Sequence, residues 1–280
     1  MGQIVQNMRI LAAIAMFGVS ITLHSQPKLK KIWSSDTTIR TPESVLFDPK
    51  EKLLWVSCID GNSSEKDGKG QIAQLRTNGR IIDKEWITGL NAPKGLARSG
   101  NFLYVSDIDE LVVIDIGNRK IDKKIPIEGA KFLNDVCVNT SGDVFISDSK
   151  TGKIHRYSKG SIQTWMEDLK GPNGILCIKN DVFILASGSL LVAGEDKQVK
   201  ILCEGLDKST DGIEQTSSGE FIVSCWSGAI YFVDKSWKAN LVLDTRPVKR
   251  NTADIGFDPE TSTVFVPTFF GNQVEAYTLK

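Results

Sequence analysis

From residue 41 onward the chain alternates apolar and polar positions in short runs, LLWVSC, FLYVSD, DVFISD and EFIVSC among them, each bounded by Gly, Asn or Asp. A period of two puts successive side chains on opposite faces of an extended strand, and these runs are rich in the Val, Ile, Phe, Trp and Tyr that pack well on a pleated surface. No long stretch of this region carries the stripe of an amphipathic helix. The pattern predicts an all-β protein. It changes only at the N-terminus, where Arg9 precedes an unbroken apolar run from Ile10 to Leu23. That run is short for a bilayer span and reads as an export signal over residues 1–25, cleaved near Ser25. Residues 26–280 are then expected to form one domain, periplasmic or secreted, without stable membrane insertion.

The strands recur as a larger unit. Six segments open with a short polar motif followed by an apolar strand: TPESVLFD, APKGLARS, FLNDVCVN, GPNGILCI, STDGIEQT and NTADIGFD. Each is followed by a second strand: LLWVSC, FLYVSD, DVFISD, DVFILASG, EFIVSC and TVFVPT. A spacing of about 40 residues with about four strands per unit predicts a β-propeller, here of six blades. The last unit has room for three strands before Lys280, so KLKKIWS, residues 28–34, is expected to supply the fourth and close the ring.

Topology then gathers particular residues. If every innermost strand starts at one face, the second strand returns to it. Glu43, Lys94, Asn134, Asn173, Asp211 and Asp254 are expected around the channel mouth, with Asp107, Asp148, Trp226 and Phe269 further out on the same side. The polar segment CIDGNSSEKDGKGQ joins two strands at that mouth. Strict alternation turns Asp135 away from the channel, into a structural role. Asp107 and Asp148 end their strands as VSD and ISD and are expected to cap turns. His155, in GKIHRYS, falls on a third strand and reads as a blade-surface residue away from the mouth.

Composition narrows the chemistry. The 280 residues carry 34 Lys+Arg against 34 Asp+Glu, with no basic block, which argues against nucleic acid as a partner. Of the two histidines, His24 belongs to the export segment, leaving little material for a histidine-rich zinc site or a Ser/His/Asp triad. Cys58, Cys137, Cys177, Cys203 and Cys225 lack metal-binding spacing and lie in or beside apolar runs. Buried free thiols are expected, with one disulfide as the alternative. At the mouth, three carboxylates, two carboxamides and one ammonium converge. Close carboxylates repel unless a cation, a proton or Lys94 compensates. All-oxygen ligands favour Ca²⁺, Mg²⁺ or Mn²⁺, with zinc less well suited. Asn-Gly and Asp-Gly also serve as plain turn dipeptides.

The series TPESVLFDP, LNDVCV, GPNGI and STDGIEQTSSGEFIVSCW, each opening a successive blade, resembles the gluconolactonase, senescence marker protein and regucalcin family across essentially the whole of residues 26–280. The resemblance implies a single divalent cation held by Glu43, Asn173 and Asp211, with Asn134 and Asp135 beside substrate and metal. It also implies metal-dependent hydrolysis of lactones or related esters, the substrate being a small lactone or sugar-derived molecule. In that reading Asp211 is the general base and Asn134 donates a hydrogen bond to substrate. Lys94 either binds a substrate hydroxyl or carboxylate, or pairs with Asp254 or Asp211. Two positions depart from the family pattern: Ser44-Val45 follows Glu43 in place of Gly-Pro, and Phe132 stands where the lactonases often carry a substrate-binding Arg. The alternative function is a non-catalytic propeller that binds a peptide, glycan or protein partner at the same mouth.

Overall fold

Short strands joined by tight turns pair most readily with their sequence neighbours, and this rule builds the molecule. The computed structural model describes residues 27–280, so the expected export signal over 1–25 lies outside it. Among the described residues, six four-stranded antiparallel sheets form the six blades of a β-propeller, five of them assembled in simple sequence order. The innermost strands are Pro42–Asp48, Pro93–Ser99, Leu133–Val138, Pro172–Ile178, Thr210–Gln215 and Gly256–Asp258. Two single 3-10 turns, Arg246–Val248 and Phe269–Gly271, interrupt the strands. No helix among the described residues is long and apolar enough to cross a membrane.

The sixth sheet draws its outer strand, Leu29–Ser34, from the other end of the chain. Leu29 lies opposite Leu279 and Ser34 opposite Glu275. The backbones of Lys28 and Lys280 exchange hydrogen bonds of 2.9 and 3.0 Å. Lys31 Nζ adds an ion pair to the buried Glu275 at 2.6 Å.

The apolar side chains collect between blades. Leu54 and Val56 of the first blade pack on Phe265 and Ala276 of the sixth. Trp55 and Ile72 meet Leu96 and Leu103 across the next boundary, and Phe145 meets Ile175 and Val182 further round. Each blade is thus stabilised by both neighbours, with burial contributing about 25 cal/mol per Å² of apolar surface.

Five of the six inner strands carry an irregularity near their start. Pairing shifts register between Pro42 and Ser44, Pro93 and Leu96, Leu133 and Val136, Pro172 and Ile175, and Thr210 and Ile213. A bulge breaks the alternation of side chains and re-aims them. Where it frees a backbone N–H, a serine near the end of the second strand takes it: Ser57 Oγ accepts from Ser44 at 3.0 Å, Ser147 Oγ from Asp135 at 2.9 Å and Ser224 Oγ from Gly212 at 2.8 Å.

The structure corrects two expectations. Asp135 does not point outward: it is buried and lines the channel cavity, because the shifted register turns two consecutive residues inward. Asp254 does not take the position equivalent to Glu43. Its parallel bridge is to Ser44, so Ala253 occupies the mouth position and Asp254 lies one residue deeper, in line with Ser44 and Gly212. Both acids tie neighbouring blades together. Asp135 Oδ2 accepts the Ile175 N–H at 2.7 Å, and Asp254 Oδ2 accepts from Ser44 Oγ at 2.5 Å.

Two further expectations change. Cys137 and Cys177, on adjacent inner strands with Cα atoms 5.5 Å apart, form a disulfide that links the third and fourth blades, while Cys58, Cys203 and Cys225 are buried free thiols. His155 is buried rather than on the blade surface: it lies opposite Ile146, on the face of its sheet that packs against the second blade.

Replacing Cys137 and Cys177 together by Ala should lower the unfolding free energy by about 2–4 kcal/mol, since the bridge restricts the unfolded chain. Denaturant melts of oxidised wild type and the double variant check this. Equal stabilities would show that the bridge constrains nothing the blades do not already hold.

Candidate functional site

The channel mouth is built by the first residue inside each bulge. Glu43, Lys94, Asn134, Asn173 and Asp211 line one cavity of about 300 Å³, together with Ser63 from the polar loop of the first blade and the aromatic side chains Phe132, Trp226, Phe269 and Phe270. Asp254 lines the deeper channel cavity instead, with Ser44, Asp135 and Glu214.

Turn capping fixes the strands that carry these groups. Asp107 accepts the N–H groups of Asn91 and Ala92 at 2.8 and 2.7 Å, anchoring the turn that leads into Lys94. Asp148 does the same for Lys131 and Phe132 at 2.8 and 3.2 Å, ahead of Asn134. Both carboxylates fill the capping role that their sequence positions suggested.

The polar contacts within the mouth are specific. Asn173 donates from Nδ2 to Asp211 Oδ1 at 2.9 Å, which turns its Oδ1 toward a buried position without a partner. Glu43 Oε2 is likewise buried without a partner. Asn134 donates from Nδ2 to Ser149 Oγ at 3.1 Å, and Ser149 Oγ donates onward to the Pro172 carbonyl at 2.7 Å. Lys94 is almost wholly buried, donates to the carbonyls of Ala92 at 2.9 Å and Ser63 at 3.2 Å, and sits 4.5 Å from the centre of the Phe132 ring. Among the described residues it forms no ion pair with Asp211 or Asp254. Lys150 approaches the same ring from the rim, at 4.9 Å.

Electrostatics follow from burial. Desolvation, with Asp211 nearby, pushes the Glu43 carboxyl well above its ordinary range, and Lys94 offsets part of that rise. Burial also raises Asp211, with a further push from Asp254 and an opposing hydrogen bond from Asn173. Asp135 is raised by burial and by Asp254. Deeper in the channel, Asp254 is pushed up to about 7 and Glu214 to about 8, each chiefly by desolvation. Lys94 moves the other way: burial lowers its pKa although Glu43 opposes this. Five acids and one ammonium thus share a poorly solvated axis.

Among the described residues no three His, Cys, Asp or Glu side chains converge as a ready metal cluster. The convergent mouth donors are the two carboxylates of Glu43 and Asp211 and the carboxamide of Asn173. The two orphaned oxygens, on Glu43 and Asn173, are the features a hard cation would satisfy. Reading the sequence did not find Phe270, Ile59 or Ser149. Phe270 follows Phe269 directly, and two aromatic residues in succession past a strand end were the available signal.

No protein-family profile matches the chain, and no curated protein matches it. Solved structures do. A streptogramin B lyase is similar over 91% of this chain and 98% of its own, with a TM-score of 0.68 at 11% identity. The virginiamycin B lyase of Staphylococcus aureus, in a catalytically inactive histidine-to-alanine form with quinupristin, has a TM-score of 0.65 at 13% identity, covering 91% of this chain and 100% of that one. Regucalcin from Agrobacterium tumefaciens, described as a calcium-binding protein, has a TM-score of 0.62 at 17% identity and covers 88% and 93%. At these identities the likeness shows the shared propeller fold.

Glu214 provides a pH test of the channel acids. Its folded pKa of about 8 lies above the ordinary Glu value, so between roughly pH 4.5 and 8 the folded state keeps a proton that the unfolded chain releases. Stability should therefore fall as pH rises through that window and level off above it. Glu214→Gln, which cannot ionise, should gain on wild type from pH 5 to pH 8 in thermal melts. A constant difference across that range would reject the raised pKa.

Proposed function

We propose that this protein is an exported, metal-dependent hydrolase of lactones or related esters. The observation that carries the reading is the pair of orphaned buried oxygens, Glu43 Oε2 and Asn173 Oδ1, at one mouth with the carboxylate of Asp211. Glu43, Asn173 and Asp211 would hold one divalent cation, and an all-oxygen set suits Ca²⁺, Mg²⁺ or Mn²⁺ better than zinc. The calcium-binding description of the regucalcin neighbour supports the same choice. The Cys137–Cys177 bridge supports export to an oxidising compartment.

When bound, the cation supplies polarisation of the ester carbonyl and a lower pKa for the attacking water. The protein's own groups do the rest. Asp211 takes the proton of the attacking water; Asn173 fixes its orientation through the 2.9 Å hydrogen bond. Asn134, held by Ser149, presents its carboxamide to the substrate. Lys94, held by two carbonyls and close to the Phe132 ring, places positive charge beside Glu43 and keeps one N–H for a substrate oxygen.

The lyase chemistry of the streptogramin-type neighbours has less support. The Staphylococcus aureus enzyme is inactive without one histidine, whereas His155, the one histidine among the described residues, is buried in its blade and does not line the mouth. A binding propeller for a peptide, glycan or protein partner is the second reading, favoured by the exposure of Trp226 and Phe270 at the rim.

Asp211→Asn separates these readings. It removes one of two ligand charges while keeping the shape, so metal affinity should fall, and hydrolysis of a lactone panel should fall further, by about a hundredfold or more, with the lost proton acceptor. Melts of the metal-free proteins should show the variant at least as stable, because carboxyl repulsion is relieved. Calorimetric titration of Ca²⁺, Mg²⁺ and Mn²⁺ provides the check. Equal affinity in both proteins would overturn the ligand assignment, and turnover that resists a chelator would overturn the role of the metal.

A further inference from the structure

The lining of the mouth is of two kinds. Glu43, Asn173 and Asp211 come from the first, fourth and fifth blades, and Trp226, Phe269 and Phe270, which follow the second strands of the fifth and sixth blades, form an aromatic wall on the same cavity. The rings meet edge to face, with centroids 4.7 Å apart for Phe269 and Phe270 and 5.6 Å apart for Trp226 and Phe269. Trp226 is 39% exposed and Phe270 69% exposed, a large apolar surface left beside a buried acidic cluster. Ordinarily such rings are drawn into a core, since burial removes their apolar surface from water.

Local structure holds the wall in place. Asn251 Nδ2 donates to the Trp226 carbonyl at 2.8 Å. The Phe269–Gly271 turn is closed by hydrogen bonds from Gly271 to Thr268 at 2.9 Å and from Asn272 to Phe269 at 3.0 Å. Phe269 itself has a φ of 48°, left-handed backbone that an aromatic residue adopts only under constraint. Its ring packs on the small apolar cluster of Ile59, Ala92 and Ile108, which pins one face and leaves Phe270 at the rim.

Much of the donor capacity of the mouth is already committed, leaving one N–H each on Lys94, Asn134 and Asn173. Two N–H groups of Lys94 are spent on the carbonyls of Ser63 and Ala92, and its ammonium lies against Phe132. Asn134 and Asn173 each spend an N–H on a protein partner, Ser149 and Asp211. A polyhydroxylated ring entering here would lose water around its hydroxyl groups and find few donors to replace it, a costly exchange. A ligand with an alkyl or aryl substituent would instead cover the wall.

Resting on the hydrolase reading, we infer that the substrate is a lactone or ester with an apolar substituent, seated on Trp226, Phe269 and Phe270 with its carbonyl toward Asp211, and that a sugar lactone is a poor fit. Water oxygen bonds to the carbonyl carbon, the acyl C–O bond breaks and the leaving oxygen takes the proton that Asp211 received, giving a hydroxy acid from a lactone or an acid and an alcohol from an open ester, with the apolar substituent on the wall until release.

The test uses two hydrolysis-resistant lactams, 6-pentylpiperidin-2-one and gluconolactam, titrated calorimetrically into the metal-loaded wild-type protein and into Phe270→Ala and Trp226→Ala. These side chains are exposed at the rim, and thermal melts confirm that each variant folds. The alkyl lactam should bind wild type at least about tenfold more tightly than gluconolactam, and each variant should lose about tenfold for the alkyl lactam with little change for gluconolactam. Equal or tighter binding of gluconolactam, or unchanged alkyl-lactam affinity in both variants, would overturn the inference. Hydrolysis of δ-decalactone and glucono-δ-lactone is measured alongside. Tight alkyl-lactam binding without turnover of either lactone would reject the hydrolase while leaving the apolar ligand in place, so the two failures are distinguishable.

Discussion

Everything at the mouth depends on how closely six inner strands approach one another around the channel. A Cβ added at Gly174 would lie 1.9 Å from the Asp211 carbonyl oxygen, and one at Gly95 would lie 2.5 Å from the Asp135 Cα. Such contacts leave no room for a side chain, which is why glycine stands at these positions. Each glycine lies within its strand's bulge, the backbone's answer to the same crowding. The bulge turns the preceding residue toward the mouth and, in the first, third and fifth blades, frees an N–H that a serine hydroxyl accepts. Convergence of Glu43, Asn173 and Asp211 is thus a product of ring geometry before it is a product of chemistry.

That geometry imposes an electrostatic cost. Glu43, Asp135, Asp211 and Asp254 lie on one axis where water is scarce, and desolvation raises every one of them. Lys94 balances only part of this, because burial weakens its own charged form. Asp135 and Asp254 recover some of the cost by accepting hydrogen bonds from neighbouring blades. Glu43 has no such contact for its buried Oε2. The acids that serve as clamps and the acids that face the mouth therefore differ in what they leave unsatisfied, and this difference marks the mouth as the place for a ligand.

The propeller was legible in the sequence because each blade repeats its strand pattern independently, so the period survives despite varied residues. The mouth was legible for the same reason: TPES, APKG, LNDV, GPNG and STDG recur at equivalent points. What alternation could not supply was the bulge. It assigned Asp135 outward by assuming an unbroken period of two, and matching the motif NTADIGFD on its acid instead of on Ala253 placed Asp254 one residue too shallow. The Cys137–Cys177 bridge was hidden for a different reason. It joins neighbouring strands that never pair with each other, and no spacing rule reports contacts around a ring. Phe270 escaped because it lies in a turn, where apolar periodicity has no meaning.

The division of labour between ring and rim explains how a charged mouth is tolerated. Apolar packing lies between blades, beneath and around the channel, and scarcely involves the mouth residues. The one apolar cluster that reaches the rim, Ile59, Ala92 and Ile108 beneath Phe269, is small and serves to seat a ring rather than to hold blades together. Changes at Trp226 or Phe270 should therefore couple weakly to stability, whereas changes at Gly95 or Gly174 strike the inner-strand approach itself. Neighbours with similar folds at 11–17% identity fit this view. A scaffold whose strength resides between blades can exchange the chemistry of its mouth without rebuilding its core, so what this protein does must be argued from the rim residues it carries and not from the propeller that presents them.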